Sequence, residues 1–242
     1  MHSGNRSSEG LASLAMHQDK TASLDIRYDG AQRHAGVVSR DLYSLCSISN
    51  RLPKDQAGIR ISGVEDLRTF LSPQGCIGSI AANLLGSASR AVRAILFDKT
   101  PATNWSLAWH QDRTICVRQR IDVDGFGPWT SKNGMTHVAP PFDLLTRMVT
   151  LRVHFDDVPA TNAPLLIAPG SHADGRVSYD AIEEVVQRRG VRVCIADAGD
   201  VWIYSTPILH ASNAATKPSH RRVLQVDYAA EELPGGLEWL GV

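Results

Sequence analysis

The chain has 242 residues, 43% of them apolar and 21% charged, the make-up of a globular domain with enough material for a substantial core. Its 25 basic and 25 acidic residues cancel, which removes any global field toward nucleic acid or an anionic membrane. Four cysteines without a CxxC pair argue against a disulfide scaffold or a thiolate zinc site, no apolar run can span a bilayer, and the start lacks a secretory pattern, so a reducing cytoplasm is the expected compartment.

Residues 1–25 are rich in Ser, Gly and other polar residues and read as a flexible arm ahead of a single domain over 26–242. Helices are predicted over 64–71 and 75–85; in the second, Ile77, Ile80, Ala81 and Leu84 recur at helical spacing and Gly86 supplies a stop. Short β-branched, often alternating segments follow at 91–98, 148–155, 165–168, 191–195, 201–204 and 221–228. Between them, 113–141 is a long Gly/Pro-rich stretch that reads as a loop, and its Phe126, Trp129 and His137 could form a lid or simply pin it to the surface. A third helix is predicted over 178–189, with Ser178 as N-cap, Ile182, Val185 and Val186 on one face and Gly190 as the stop. The sum is a mainly β chain, a helix-buttressed sandwich or barrel.

The chemistry concentrates in a few positions. In a strand, His110 and Asp112 of the segment WHQD point to one face, and an imidazole nitrogen and a carboxylate oxygen there suit a divalent ion. HxD alone is common by chance. His210 is the candidate third ligand, and two histidines with one carboxylate leave three metal positions open, as non-haem Fe(II) oxygen chemistry requires. Eleven residues later Arg221 opens a strand; without a protein carboxylate, its natural partner is a carboxylate cosubstrate. Arg221 and Arg222 must point to opposite faces, and the spacing favours Arg221. Arg93 and Lys99 share a strand face, as do Arg152 and His154; these faces are either substrate-lining or solvated. Trp129 joins them as a substrate-contact candidate, Trp109 and the cysteines read as packing, and His172 reads as structural.

These motifs bring a resemblance. RAILFDKTPATNWSLAWHQD (93–112), DDVPATNAPLLIAPGSH (156–172), GDVWIYSTPILHAS (199–212) and SHRRVLQVDYA (219–229) make the chain similar to the phytanoyl-CoA dioxygenase family of Fe(II)/2-oxoglutarate-dependent oxygenases. The resemblance implies a double-stranded β-helix, a jelly roll of cupin-like form, buttressed by the N-terminal helices. It implies Fe(II) held by His110, Asp112 and His210. It also implies 2-oxoglutarate as cosubstrate, with its far carboxylate on Arg221 assisted by Ser212, and O2 as oxidant. The implied reaction hydroxylates an unactivated C–H, with succinate and CO2 as coproducts; the short chain without a basic patch for a CoA phosphate tail points to a small polar metabolite, an amino acid or a natural-product intermediate, as its substrate. Related halogenases replace the carboxylate ligand by a small residue; Asp112 is kept, which argues against halogenation. The family's usual Asn-Gly before PGSH is Asn162-Ala163 here. No nucleic-acid or membrane partner is expected, and the chain would be a monomer or homodimer. Two other readings stand beside this one: a non-oxidative metal-dependent cupin-type isomerase or hydrolase, which has no need of Arg221, and a non-catalytic member that binds metal and ligand.

Overall fold

Alternation of apolar and polar residues turns the predicted β segments into strands of antiparallel sheets, seen in a computed structural model that describes residues 23–52 and 58–242. With strands numbered along the chain, the larger sheet runs, edge to edge, β1 (Ala31–His34), β11 (Val201–Ser205), β8 (Val149–His154), β13 (Arg221–Ala229), β3 (Arg90–Lys99) and β2 (Gly58–Ile61). The smaller runs β10 (Arg192–Cys194), β9 (Leu165–Ile167), β12 (His210–Ser212) and β4 (Leu107–His110). Together they form a double-stranded β-helix of cupin-like form with flanking helices; the two sheets stay separate instead of joining into a closed barrel.

The outer face of the larger sheet is apolar. Ala94, Leu96, Leu151, Val153, Ile203, Leu224 and Val226 pack there against α1 (Leu42–Asn50), α2 (Glu65–Leu71) and α3 (Gly78–Leu85), which supply Leu45, Ile48, Leu67, Leu71, Ile77, Ile80 and Ala81. Because side chains alternate, the residues between these apolar ones must point inward, toward the smaller sheet. That rule puts Arg93, Ile95, Phe97 and Lys99 of β3, Arg152 and His154 of β8, and Arg221, Gln225 and Asp227 of β13 on the inner face. Register aligns them in rows: Lys99 opposite Arg221, Ile95 opposite Gln225 and Arg93 opposite Asp227, with Arg152 beyond Gln225.

The stretch 113–141 is not one loop. It contains a third sheet, β5 (Ile115–Val117), β7 (Met135–Val138) and β6 (Trp129–Lys132), closed by a two-residue Asn133-Gly134 hairpin in which both residues have positive φ. That geometry is what an Asn-Gly pair between alternating strands favours. A short helix, α4 (Phe142–Thr146), follows and packs beneath it. The predicted helix 178–189 is present as a 3₁₀ turn, Tyr179–Ala181, leading into α5 (Ile182–Arg189), and the Ser178 side chain makes no capping bond. Of the expected arm, residues 1–22 lie outside the described residues, while Leu24 packs against the core beside β1. Among the described residues no helix is long and apolar enough to cross a membrane.

Candidate metal centre and its cavity

His110 and His210 face each other across the β4–β12 pair, in direct register, with ring centroids 4.2 Å apart. Each ring binds the carbonyl two residues back through Nδ1, His110 to Ala108 at 2.8 Å and His210 to Ile208 at 3.0 Å. That bond makes Nδ1 the protonated nitrogen and leaves the Nε2 lone pair free to ligate. Burial, and then the neighbouring His110, push His210 down to about 4, so the ring is a neutral donor near pH 7. Strand β4 stops at His110, so Asp112 stands just beyond it. The alternation persists nonetheless, because Gln111 is pinned on the reverse side: its amide donates to the carbonyls of Gly175 and Pro207 and accepts from the Val177 amide. The result brings ligand atoms of His110, Asp112 and His210 within 4.8 Å of one another, a 2-His-1-carboxylate-like metal-binding triad. Ser171 of the PGSH phrase accepts the Leu209 amide at 2.8 Å and so fixes the residue next to His210.

Behind Asp112 lies a buried relay. Arg93 donates to Asp227 at 2.5 Å and reaches Asp112 at 3.4 Å, and Thr150 donates to the other Asp227 oxygen at 3.0 Å. Burial alone would raise the Asp112 pKa, but Arg93, then His210 and His110, outweigh it and hold the carboxyl below its ordinary value. Asp227 moves the other way, raised by burial with Asp112 nearby against the pull of Arg93. Arg93 is thus a fixed brace for the triad carboxylate.

The other end of the β3 row is cationic, without an anion among the described residues. Arg221 is 2% exposed, donates through one terminal nitrogen to the Ala163 carbonyl, and leaves Nε with no partner. Burial, and then Arg152, depress it from its ordinary value to about 9. Lys99, opposite Arg221, donates to Trp105 O at 2.7 Å and Ser212 Oγ at 3.2 Å, and burial followed by Arg221 and Arg152 lowers it to about 8. Arg152 donates to Gln225 at 2.9 Å and also leaves Nε unpartnered. Arg222 points to the opposite face and binds Asp156 through two nitrogens, at 3.0 and 2.6 Å. The Asn162-Ala163 turn is more than a local variation: Ala163 sits at φ 52, a left-handed conformation that suits glycine, and its carbonyl is the one that receives Arg221.

One cavity of about 160 Å³ joins the two ends and is lined by the triad, Arg93, Lys99, Arg152, Ser212 and Arg221. Two expected substrate residues fall outside its lining. His154 lies on the inner face but is buried among Arg152, Arg221 and Arg33; burial and these cations push it well below its ordinary pKa, and neither ring nitrogen has a partner. Trp129 packs against the core around β5 and β7, with Arg120 over its ring at 5.5 Å, because the hairpin turns it away from the triad. Phe126 joins the same core, and His137 is buried with Nε2 3.0 Å from Cys116 Sγ, so neither forms a lid. The lining adds residues not anticipated from sequence, chiefly Arg60, Trp105, Thr114, Lys132, Leu165 and Gln225.

Residues 67–223 match the phytanoyl-CoA dioxygenase (PhyH) family. The chain belongs to that family. No curated protein matches it individually. Among solved structures it is similar to EctD from S. alaskensis, at 18% identity over 93% of this chain and 84% of that one with a TM-score of 0.64. It is also similar to the non-heme alpha ketoglutarate dependent epimerase SnoN from nogalamycin biosynthesis, at 16% identity over 87% of each chain and a TM-score of 0.59. A third is HygX from Streptomyces hygroscopicus with nickel and 2-oxoglutarate bound, at 14% identity over 84% of each chain and a TM-score of 0.58. At these identities the likeness speaks to the fold. For a phytanoyl-CoA dioxygenase family member the residues present fit the expected groups: two imidazoles and a carboxylate suit a divalent metal, and the cations around Arg221, which have no carboxylate partner among the described residues, suit a dicarboxylate.

Proposed function

We propose that the protein is an Fe(II)/2-oxoglutarate-dependent dioxygenase that hydroxylates an unactivated C–H of a small polar metabolite. The observation that carries this reading is the pairing, within one cavity, of the triad with a buried guanidinium that has no anionic partner among the described residues. A cupin-type isomerase or hydrolase would use the triad but leave the Arg221 charge buried without purpose, at a cost of several kcal/mol for an unpaired ion.

His110, Asp112 and His210 would hold the iron, and Arg221, with Ser212 and Lys99 beside it, would hold the far carboxylate of 2-oxoglutarate. Bound there, iron and cosubstrate supply the oxidising chemistry that converts O2 and 2-oxoglutarate to succinate and CO2 while the substrate is oxidised. The chain's own part is positioning. The Nδ1 bonds to Ala108 and Ile208 fix both ring orientations, and Arg93 fixes the carboxylate. Ile95, Phe97, Leu107 and Leu165 give the cavity an apolar wall that keeps water from the reacting centre. The likeness to SnoN supports a second outcome, epimerisation, from the same site. A succinate-release screen over amino acids and small carboxylic acids, with product stereochemistry and mass read for each hit, tests both. A hydroxylase gives succinate and a product heavier by one oxygen; an epimerase gives no mass gain. Turnover of a substrate without 2-oxoglutarate would contradict either.

A further inference from the structure

The cavity wall contains six cationic side chains, Arg60, Arg93, Lys99, Lys132, Arg152 and Arg221, and one carboxylate, Asp112. Arg93 is neutralised by Asp112 and Asp227. On the proposed reading, on which this inference rests, 2-oxoglutarate satisfies Arg221 and the neighbouring Lys99. Arg152 donates to the neutral Gln225 and keeps its charge, but it lies beside Arg221 and Lys99 and belongs to their end of the cavity. Arg60 and Lys132 then remain, and neither has an ion-pair or hydrogen-bond partner among the described residues; Arg60 Nε is buried with nothing to bind.

The two come from different parts of the fold. Arg60 alternates with the core residues Ile59 and Ile61 in β2, the edge strand of the larger sheet, and so faces inward opposite Ile95. Lys132 ends β6, next to the Asn133-Gly134 hairpin turn. Both line the same cavity as Arg93 and the triad, and Arg60 stands opposite Ile95, the next inward residue after Arg93 on β3. Thr114 lines the cavity beside the triad and adds a hydroxyl, and Ile95 and Leu107 add a short apolar surface.

We infer that Arg60 and Lys132 form a clamp for an oxyanion of the oxidised substrate, which makes that substrate a small acid carrying a carboxylate, sulfonate or phosphate on a short apolar body. A guanidinium and an ammonium on separate elements can grip one oxyanion from two sides, with the guanidinium supplying paired donors. The anion anchors the substrate while its apolar part lies toward the metal.

The test is saturation-transfer NMR on the full chain loaded with zinc and saturated with 2-oxoglutarate, with butanesulfonate and the neutral butyl methyl sulfone as probes. Butanesulfonate is expected to bind about ten-fold or more tightly than the sulfone. Arg60→Gln and Lys132→Gln should each weaken it about ten-fold, Arg60→Lys should retain most of the binding, and the double substitution should reduce it to the level of the sulfone. Lys132 is exposed, so Lys132→Gln carries the test even if Arg60→Gln does not fold. Equal binding of the two probes, or sulfonate binding indifferent to Lys132→Gln while 2-oxoglutarate still saturates, would overturn the clamp and leave the functional reading intact. Failure of 2-oxoglutarate to saturate the wild type would overturn that reading and the clamp with it.

Discussion

Replacing Arg221 by methionine tests two consequences of a single buried charge. This guanidinium is 2% exposed, lies beside Arg152 and Lys99, and among the described residues is compensated only by the Ala163 carbonyl. A guanidinium does not lose its proton in practice, so its depression to about 9 by burial and Arg152 marks a charge held at a cost to the fold. A volume-matched apolar residue removes that strain, and such replacements of buried charge stabilise by about 1–3 kcal/mol, or roughly 2–10 °C in Tm for a chain of this size. With 2-oxoglutarate the sign reverses. Truncating one member of a buried, hydrogen-bonded charge pair costs about 2–5 kcal/mol, so the dissociation constant for 2-oxoglutarate should rise about thirty- to five-thousand-fold. Thermal melts with and without 2-oxoglutarate read both effects. Arg222→Met is the control: it breaks the pair with Asp156 on the opposite face, should lower Tm, and should leave 2-oxoglutarate binding within about two-fold. A less stable Arg221→Met protein with unchanged 2-oxoglutarate affinity would show that Arg221 neither burdens the fold nor holds the cosubstrate.

Asp112→Ala should abolish metal-dependent succinate formation, and full activity in that variant would show the triad to be wrong. Asp227→Asn should cost about 3–5 kcal/mol in denaturant unfolding because it leaves Arg93 short of its closer carboxylate; a change under about 1 kcal/mol would show that the brace matters little. Lys99 is pushed down to about 8, so its penalty on the ligand-free fold is full below that pH and is relieved between about 8 and its ordinary 10.5. For 2-oxoglutarate the same proton loss removes an attraction: affinity should fall as pH rises past about 8, and Lys99→Met should flatten that profile. Trp129→Ala should lower stability by about 1–3 kcal/mol without changing 2-oxoglutarate affinity, and a change in affinity would return Trp129 to the cavity.

Much of this site was legible because the chemistry sits on long strands with clean alternation. In 148–155 and 221–228 the period of two separates Leu151 and Val153 from Arg152 and His154, and Arg221 from Arg222, and the structure honours both separations. The same period set Arg93 and Lys99 together on the inner face, although whether that face was wet or enclosed depended on the opposing sheet. Short elements carried too little period to read. β12 has three residues and β2 four, so neither the pairing of His210 with His110 nor the inward turn of Arg60 could be derived from sequence. Helix α1, LYSLCSISN, has no capping bond and is rich in Ser and other weak helix formers, so the core residues Leu45 and Ile48 hold it in place. The Asn133-Gly134 turn was a readable signal inside 113–141; weight given to the glycines and prolines around it concealed the hairpin and put Trp129 on the wrong side.

The triad and Arg221 together would seat iron and 2-oxoglutarate. Anaerobic titration of the Fe(II)-loaded protein with 2-oxoglutarate, followed by visible absorption, tests this seating most directly. A weak metal-to-ligand charge-transfer band should appear, saturating with added 2-oxoglutarate in the wild type and requiring far higher concentrations in Arg221→Met. A wild-type protein with a full complement of iron and no such band would contradict this seating.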